Sequence, residues 1–124
     1  EENVGDFAPQ ALKAIIIAGV ILIWLSVCIL CTSSYPIPPG TDAFMHCYAG
    51  CVGCSLCGCP PGLLGIGKEI ADALFGGTVE IRDIINTEIG CGAGQVCELL
   101  LIPGWIQGCC EKACRALERR GILR

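Results

Sequence analysis

The residues with the greatest potential for chemistry are cysteines, which are densest in the run CVGCSLCGCP at positions 51–60. Cysteines at this density suit disulfide bonds, a zinc site or an iron–sulfur cluster. A bacterial-type iron–sulfur run requires three residues before its last cysteine. Here only Gly58 separates Cys57 from Cys59, so the run fails at its most specific spacing.

A zinc site is the second possibility for the same run. Its ligands would be Cys51 and Cys54 with two of His46, Cys47, Cys57 and Cys59, all of which are ordinary zinc ligand types. We expect disulfides instead, because the cysteines elsewhere in the chain also look structural. The single histidine, His46, is then a loop residue rather than a ligand, and no metal or other cofactor is expected.

All twelve cysteines are candidates for structural disulfides: Cys28, Cys31, Cys47, Cys51, Cys54, Cys57, Cys59, Cys91, Cys97, Cys109, Cys110 and Cys114. Seven lie at positions 28–59 and five at positions 91–114. Both counts are odd, so full oxidation within one chain requires at least one disulfide between the two groups. The alternatives are one free thiol in each group, or a disulfide between neighbouring subunits. We expect no free thiols.

Two other motifs lack the context that their chemistry needs. The segment from Gly62 to Lys68 matches the GxxxxGK phosphate-binding loop, but Glu69 occupies the position of the hydroxyl that binds magnesium. Cys28 and Cys31 form a CxxC pair at the end of an apolar segment, whereas redox pairs begin a helix beside a strand. Since the chain has one histidine and no catalytic set, we expect that it is not an enzyme.

The elements that position the cysteines are predicted to be helices. Residues 6–31 form an apolar first helix, and residues 14–31 carry no charge. A helix over residues 11–31 is about 32 Å long, which matches the apolar thickness of a bilayer. The alternative, the central helix of a soluble bundle, is disfavoured because 124 residues can scarcely surround it. Residues 32–62 contain five prolines and five cysteines and are predicted to form a disulfide-rich loop.

The helical period returns in residues 63–121. An amphipathic second helix comes first, weakened in its middle by Gly76 and Gly77, and a short C-terminal helix follows from Cys109 to Arg120, with Gly121 as the residue that ends it. The predicted fold is therefore all-α, with two to three helices and a disulfide-rich loop in one domain covering residues 1–124.

Composition restricts the cellular setting. The chain is 53% hydrophobic and 16% charged, which argues against a free-standing soluble enzyme and against intrinsic disorder. Between Lys13 and Lys68 the only formal charge is Asp42, whereas five of the eight basic residues fall in the C-terminal segment. Because the sequence begins with Glu, we expect that a leader is removed upstream. These features predict a membrane location followed by an oxidising exterior.

This layout resembles the pilins of conjugative, type IV secretion-like pili, particularly the DNA-transfer pilins of hyperthermophilic archaea. The resemblance covers residues 6–120 and rests on the order of an apolar first helix, a connecting segment and a glycine-containing second helical region. The chain departs from the usual bacterial pilin in its length and its cysteine-rich segment.

The resemblance implies a structural subunit of an extracellular helical filament, inserted in the membrane before assembly and associated with lipid. Its partners would be copies of itself, membrane lipid, and single-stranded DNA as cargo without sequence specificity. The residues that pack against lipid or other subunits would be Ile15, Ile16, Ile17, Val20, Ile21, Ile23, Trp24 and Val27.

Three other functions fit parts of the sequence. An archaeal type IV adhesion pilin also has an apolar first helix, but that helix begins almost at the cleavage site and a β-rich head usually follows. A small membrane protein with an exported cysteine-rich loop fits the composition equally well. A metal or iron–sulfur protein is the most distant alternative. Sheared extracellular filaments would distinguish the pilins from the membrane protein, and a visible spectrum would reveal a cluster.

Overall fold

The computed structural model describes residues 4–78, 80–100 and 104–124. All regular elements in these ranges are helices, namely α1 (Val4–Ser33), α2 (Asp42–Ser55), α3 (Leu63–Leu74), α4 (Ile81–Leu99) and α5 (Ile106–Arg119). The predicted all-α class with a long apolar first helix is confirmed. The described ranges hold five helices rather than the two to three that the sequence predicts.

Helix α2 lies inside the segment predicted to be a loop, so that prediction is wrong for residues 42–55. The helix begins after Thr41, whose Oγ1 accepts a hydrogen bond from the Phe44 N–H at 3.2 Å and so caps its first turn. Cys47, Cys51 and Cys54 then follow at steps of four and three residues. This is the helical period once cysteine is counted as a small apolar residue.

The predicted second helix is two helices in the structure. Helix α3 ends at Leu74 and α4 begins at Ile81. Gly76 has φ +82°, a left-handed conformation that glycine adopts without the steric cost of a Cβ. The glycine pair therefore ends one helix and allows the chain to reverse before the next.

Helices α2 and α4 approach so closely that only glycine fits at their contact. A Cβ on Gly90 would overlap the carbonyl group of Cys47, and a Cβ on Gly94 would overlap that of Cys51. From the other side, a Cβ on Gly50 would overlap the carbonyl oxygen of Thr87. The small side chains thus let two backbones pack directly on each other, the role that the GxxxG spacing of residues 90 and 94 suggests.

Six disulfides pair all twelve cysteines: Cys28–Cys59, Cys31–Cys57, Cys47–Cys114, Cys51–Cys110, Cys54–Cys91 and Cys97–Cys109. Three of them join the two cysteine groups, which confirms the prediction of at least one such bond. Two of those three connect α2 with α5 in reverse order, so the helices run antiparallel. The third connects α2 with α4.

The core of the molecule lies between α2, α4 and α5. It consists of Phe44, Cys47, Tyr48, Cys51, Val52, Cys97, Cys110, Cys114 and Leu123. Five of these nine side chains are half-cystines. Burial raises the pKa of the Tyr48 hydroxyl, and the charge of Glu111 raises it further, so the phenol stays neutral inside the core.

Helix α5 begins three residues before the predicted start and ends at Arg119, one residue before the predicted end, while Gly121 follows it as predicted. Gly121 has φ +72°, its N–H donates to the Glu118 carbonyl at 3.0 Å, and the Ile122 N–H donates to the Leu117 carbonyl at 3.0 Å. This pair of bonds is a Schellman motif with glycine at C′. It satisfies two carbonyl groups that the helix end would otherwise leave open.

Candidate functional site

Helix α1 is the part of the molecule that its own fold does not cover. Residues 8–33 have a mean hydropathy of 3.0 over their most apolar window, yet only 6% of that window is buried. It is the one helix within the described ranges that is long and apolar enough to cross a membrane. A core helix of a soluble protein would be mostly buried, whereas the rest of the described chain leaves most of α1 exposed.

The residues predicted to pack against lipid or other subunits all lie on this helix. Their side chains are between 48% and 68% exposed: Ile15, Ile16, Ile17, Val20, Ile21, Ile23, Trp24 and Val27. Consecutive positions such as 15, 16 and 17 point in different directions on a helix. The apolar surface therefore surrounds α1 instead of forming one stripe.

The C-terminal end of α1 is fixed to the rest of the molecule. Cys28 and Cys31 are bonded to Cys59 and Cys57, respectively. Gly58, between the two partners, has φ +65°, so the chain turns sharply where both bonds form. One turn further towards the N-terminus, Leu25 packs where a Cβ on Gly67 of α3 would otherwise lie.

A second apolar surface lies on the α3–α4 hairpin. Its side chains are exposed to between 51% and 86%: Ile66, Ile70, Leu74, Phe75, Ile81 and Ile85. The sequence shows the apolar period of this region but not that so many of the side chains point outwards. Since α3 also contacts α1, the two apolar surfaces are carried by neighbouring helices.

A groove between α4 and α5 is the third apolar feature. Its volume is about 430 Å³, and it is lined mainly by small and apolar residues, among them Ile89, Ala93 and Val96 of α4 and Ala113, Ala116 and Leu117 of α5. Arg120 is the single charged residue among those that line the groove. Sequence patterns do not predict this groove, because it depends on how far apart the two helices pack.

The basic C-terminal segment is partly used to hold the fold. Arg115 lies over the Phe44 ring at 4.3 Å, donates to the Pro39 carbonyl at 3.0 Å and pairs with Glu111 at 3.3 Å, as its i,i+4 spacing predicts. Lys112 lies 4.5 Å from the centre of the Trp105 ring. Arg115 therefore ties α5 to α2 and to the loop before α2.

The prediction that His46 is a loop residue is wrong. It lies in α2, and its Nε2 is 3.4 Å from Asp83 Oδ1 and 3.6 Å from Asp42 Oδ2. The cysteines proposed as its zinc co-ligands are all bonded to other cysteines, so none of them supplies a thiolate.

In the GxxxxGK segment, Glu69 is buried and its Oε2 accepts the Glu80 N–H at 2.9 Å, while the Lys68 side chain lies outside the described residues.

These features indicate where the molecule is located more directly than what it does. Six disulfides are typical of oxidising compartments and of hyperthermophile interiors, and α1 suits a membrane anchor or a signal segment. Comparison with protein-family models, with curated proteins and with solved structures gave no match to this chain.

Proposed function

We propose that this protein is the structural subunit of an extracellular helical filament, of the kind that conjugative pilins form. The subunit is held in the membrane by α1 and then joins other copies, with membrane lipid retained in the polymer. The observation that carries the proposal is the exposure of α1 on all sides, with 6% of its apolar window buried. Lipid and neighbouring subunits both exclude water, so one surface serves in both states.

The distribution of the other apolar residues favours a filament over a simple membrane anchor. An anchor needs only α1. On the rest of the molecule, the disulfide-bonded body formed by α2 to α5, Phe75 is 86%, Leu74 74% and Leu99 78% exposed. Large exposed apolar patches on a protein mark interaction surfaces. A homopolymer covers both α1 and the body, because each subunit provides the apolar partner that the next one lacks.

The α4–α5 groove supplies a place for the α1 helix of another copy. Its lining includes Gly92, Ala93 and Ala113, and small residues let two helices approach closely. The exposed side chains of α1, in contrast, are bulky and apolar, so they can fill the space that the small residues leave. Such a contact is head-to-tail, since the surface given differs from the surface received, and contacts of this type generate open helical polymers when the rotation between copies does not close a ring.

Electron microscopy of sheared extracellular material, with mass spectrometry of its main band, tests the proposal directly. We expect thin filaments whose principal protein is this chain. If the chain is found only in the membrane fraction and no filament contains it, the alternative of a membrane protein with an exported disulfide-rich domain replaces the filament. Passage of single-stranded DNA through the filament is a further part of the proposal and requires a transfer assay between cells.

Filling the groove should block assembly without affecting membrane insertion. Ala116 lines the groove and lies outside the buried core and the residues packed against it, so Ala116→Trp places an indole where the neighbour's helix would lie. We expect loss of filaments, with normal amounts of oxidised protein in the membrane fraction. The matched control is Gln107→Trp, an exposed position of the same helix outside the groove. Normal filaments from Ala116→Trp would exclude the groove as the docking site.

Lipid should remain in the assembled filament. The exposed side chains of α1 have no polar face to turn towards water, and exposed basic groups at Arg119 and Arg120 can pair with anionic headgroups. We expect organic extraction of washed filaments to release lipid in a constant ratio to protein through repeated washes. A ratio that falls to zero would show that subunit contacts alone cover α1.

A further inference from the structure

Three potential metal ligands meet at one point between α2 and α4. Asp42 and His46 are one helical turn apart in α2, and Asp83 is in the first turn of α4. His46 Nε2 lies 3.4 Å from Asp83 Oδ1 and 3.6 Å from Asp42 Oδ2. The side chains of His46 and Asp83 are only 15% and 10% exposed, while that of Asp42 is 79% exposed. The cluster is thus half-buried and open on one side.

A cavity of about 190 Å³ adjoins the cluster, and its lining includes His46, Thr32 at the end of α1 and Thr87 of α4. Thr32 is 9% exposed, and its Oγ1 has no hydrogen-bond partner. Buried hydroxyl groups nearly always have a partner, and a cavity of this size has room for water beside the hydroxyl and imidazole groups in its mainly apolar lining. The unpartnered hydroxyl therefore points to a water or ligand in the space next to His46.

The distances from His46 Nε2 to the two carboxylate oxygens suit a tetrahedral ion, and all three ligand atoms lie within 4.8 Å of one another. Zinc bonds of about 2.0–2.1 Å to nitrogen and oxygen place neighbouring ligand atoms about 3.3–3.4 Å apart, close to the two distances observed. Imidazole nitrogen favours zinc over calcium or magnesium. We propose that Asp42, His46 and Asp83 bind one Zn²⁺, with a water on the cavity side as the fourth ligand.

This site differs from the zinc site that the cysteine run suggests, although His46 is a candidate ligand in both. All twelve cysteines are paired, so no thiolate competes for the ion in the oxidised protein. The ion would join α2 to α4 beside their glycine contact. The inference does not depend on filament formation, since all three ligands belong to one subunit.

The single histidine makes the site directly observable, because every imidazole signal belongs to His46. We propose titrating the full oxidised chain, purified in detergent without a histidine tag, with ZnCl₂ and recording long-range ¹H–¹⁵N imidazole spectra. We expect a new set of signals with the metal on Nε2 and the proton on Nδ1, complete at one equivalent. Signals that stay unchanged beyond one equivalent would overturn the proposal.

Variants identify the two carboxylate ligands. Asp83→Asn and Asp42→Asn should each weaken zinc binding by about tenfold or more, measured by calorimetry on the oxidised chain. Asp42 is largely exposed, so its variant tests the site even if Asp83→Asn disturbs folding. The control is Glu98→Gln, an exposed position of α4, which should bind zinc as the wild type does. If Asp42→Asn and a folded Asp83→Asn both bind zinc with wild-type affinity, the proposal is wrong and the three residues form only ion pairs.

Discussion

Ile17→Asp and Ile21→Asp variants are each expected to abolish filament assembly while the subunit still accumulates with all six disulfides formed. Ile17 is 58% and Ile21 48% exposed, so neither substitution removes a core contact. A carboxylate near the middle of an apolar helix costs about 2.5–3.5 kcal/mol in a membrane setting. The other apolar residues of α1 still favour membrane insertion. In a filament, the same unfavourable free energy would weaken the contact between every pair of neighbouring subunits.

The measurement is the amount of filament in sheared fractions against the amount of subunit in whole cells. Gln10→Asp is the matched control, because it adds the same charge to the exposed surface of the same helix outside its uncharged part. We expect this control to assemble. Normal filaments from both isoleucine variants would mean that α1 does not form the subunit contact.

Reduction of the disulfides is expected to unfold the body of the molecule while α1 stays helical in detergent. Five of the nine core residues are half-cystines, and the large side chains that remain, such as Phe44, Tyr48 and Leu123, bury little area for a domain of this size. Small domains with few apolar core residues depend on disulfides for stability. Far-UV circular dichroism before and after reduction should show a large loss of helix, and retention of cooperative unfolding would contradict this.

Single disulfides should differ in importance according to the loops they close. Cys47–Cys114 spans 67 residues and Cys97–Cys109 spans 12, for which the chain-entropy model gives about 4.4 and about 3 kcal/mol. We therefore expect Cys47→Ala with Cys114→Ala to lower the melting temperature more than Cys97→Ala with Cys109→Ala. Equal losses in the two double variants would contradict this order.

Part of the architecture follows from the sequence because it depends on composition and count. The apolar character of α1, its end near Ser33, and the need for a disulfide between two odd groups are all of this kind. The actual pairing is not, since it depends on which helix faces which. Cys47 and Cys51 reach Cys114 and Cys110 only because α2 and α5 run antiparallel.

The errors have a common physical origin. Prolines and cysteines between residues 32 and 62 indicate irregular structure when each is counted as a loop former. The prolines lie at positions 36–39 and 60–61, outside α2, while the cysteines of α2 act as its apolar face. His46 was misplaced for the same reason, because a residue expected in a loop has no predictable neighbour on α4.

The two bonds at the base of α1 have a geometric consequence. Cys28 and Cys31 are separated by about 4.5 Å along the helix axis, and each is tied to the short turn around Gly58. A single bond would leave α1 free to swivel, whereas two bonds remove rotation about the attachment point. The angle at which α1 leaves the body is then a constant of the subunit. In the proposed filament, copies joined through α1 would each add the same twist and the same rise. The helical pitch of the filament would then be set by the two disulfides inside every monomer.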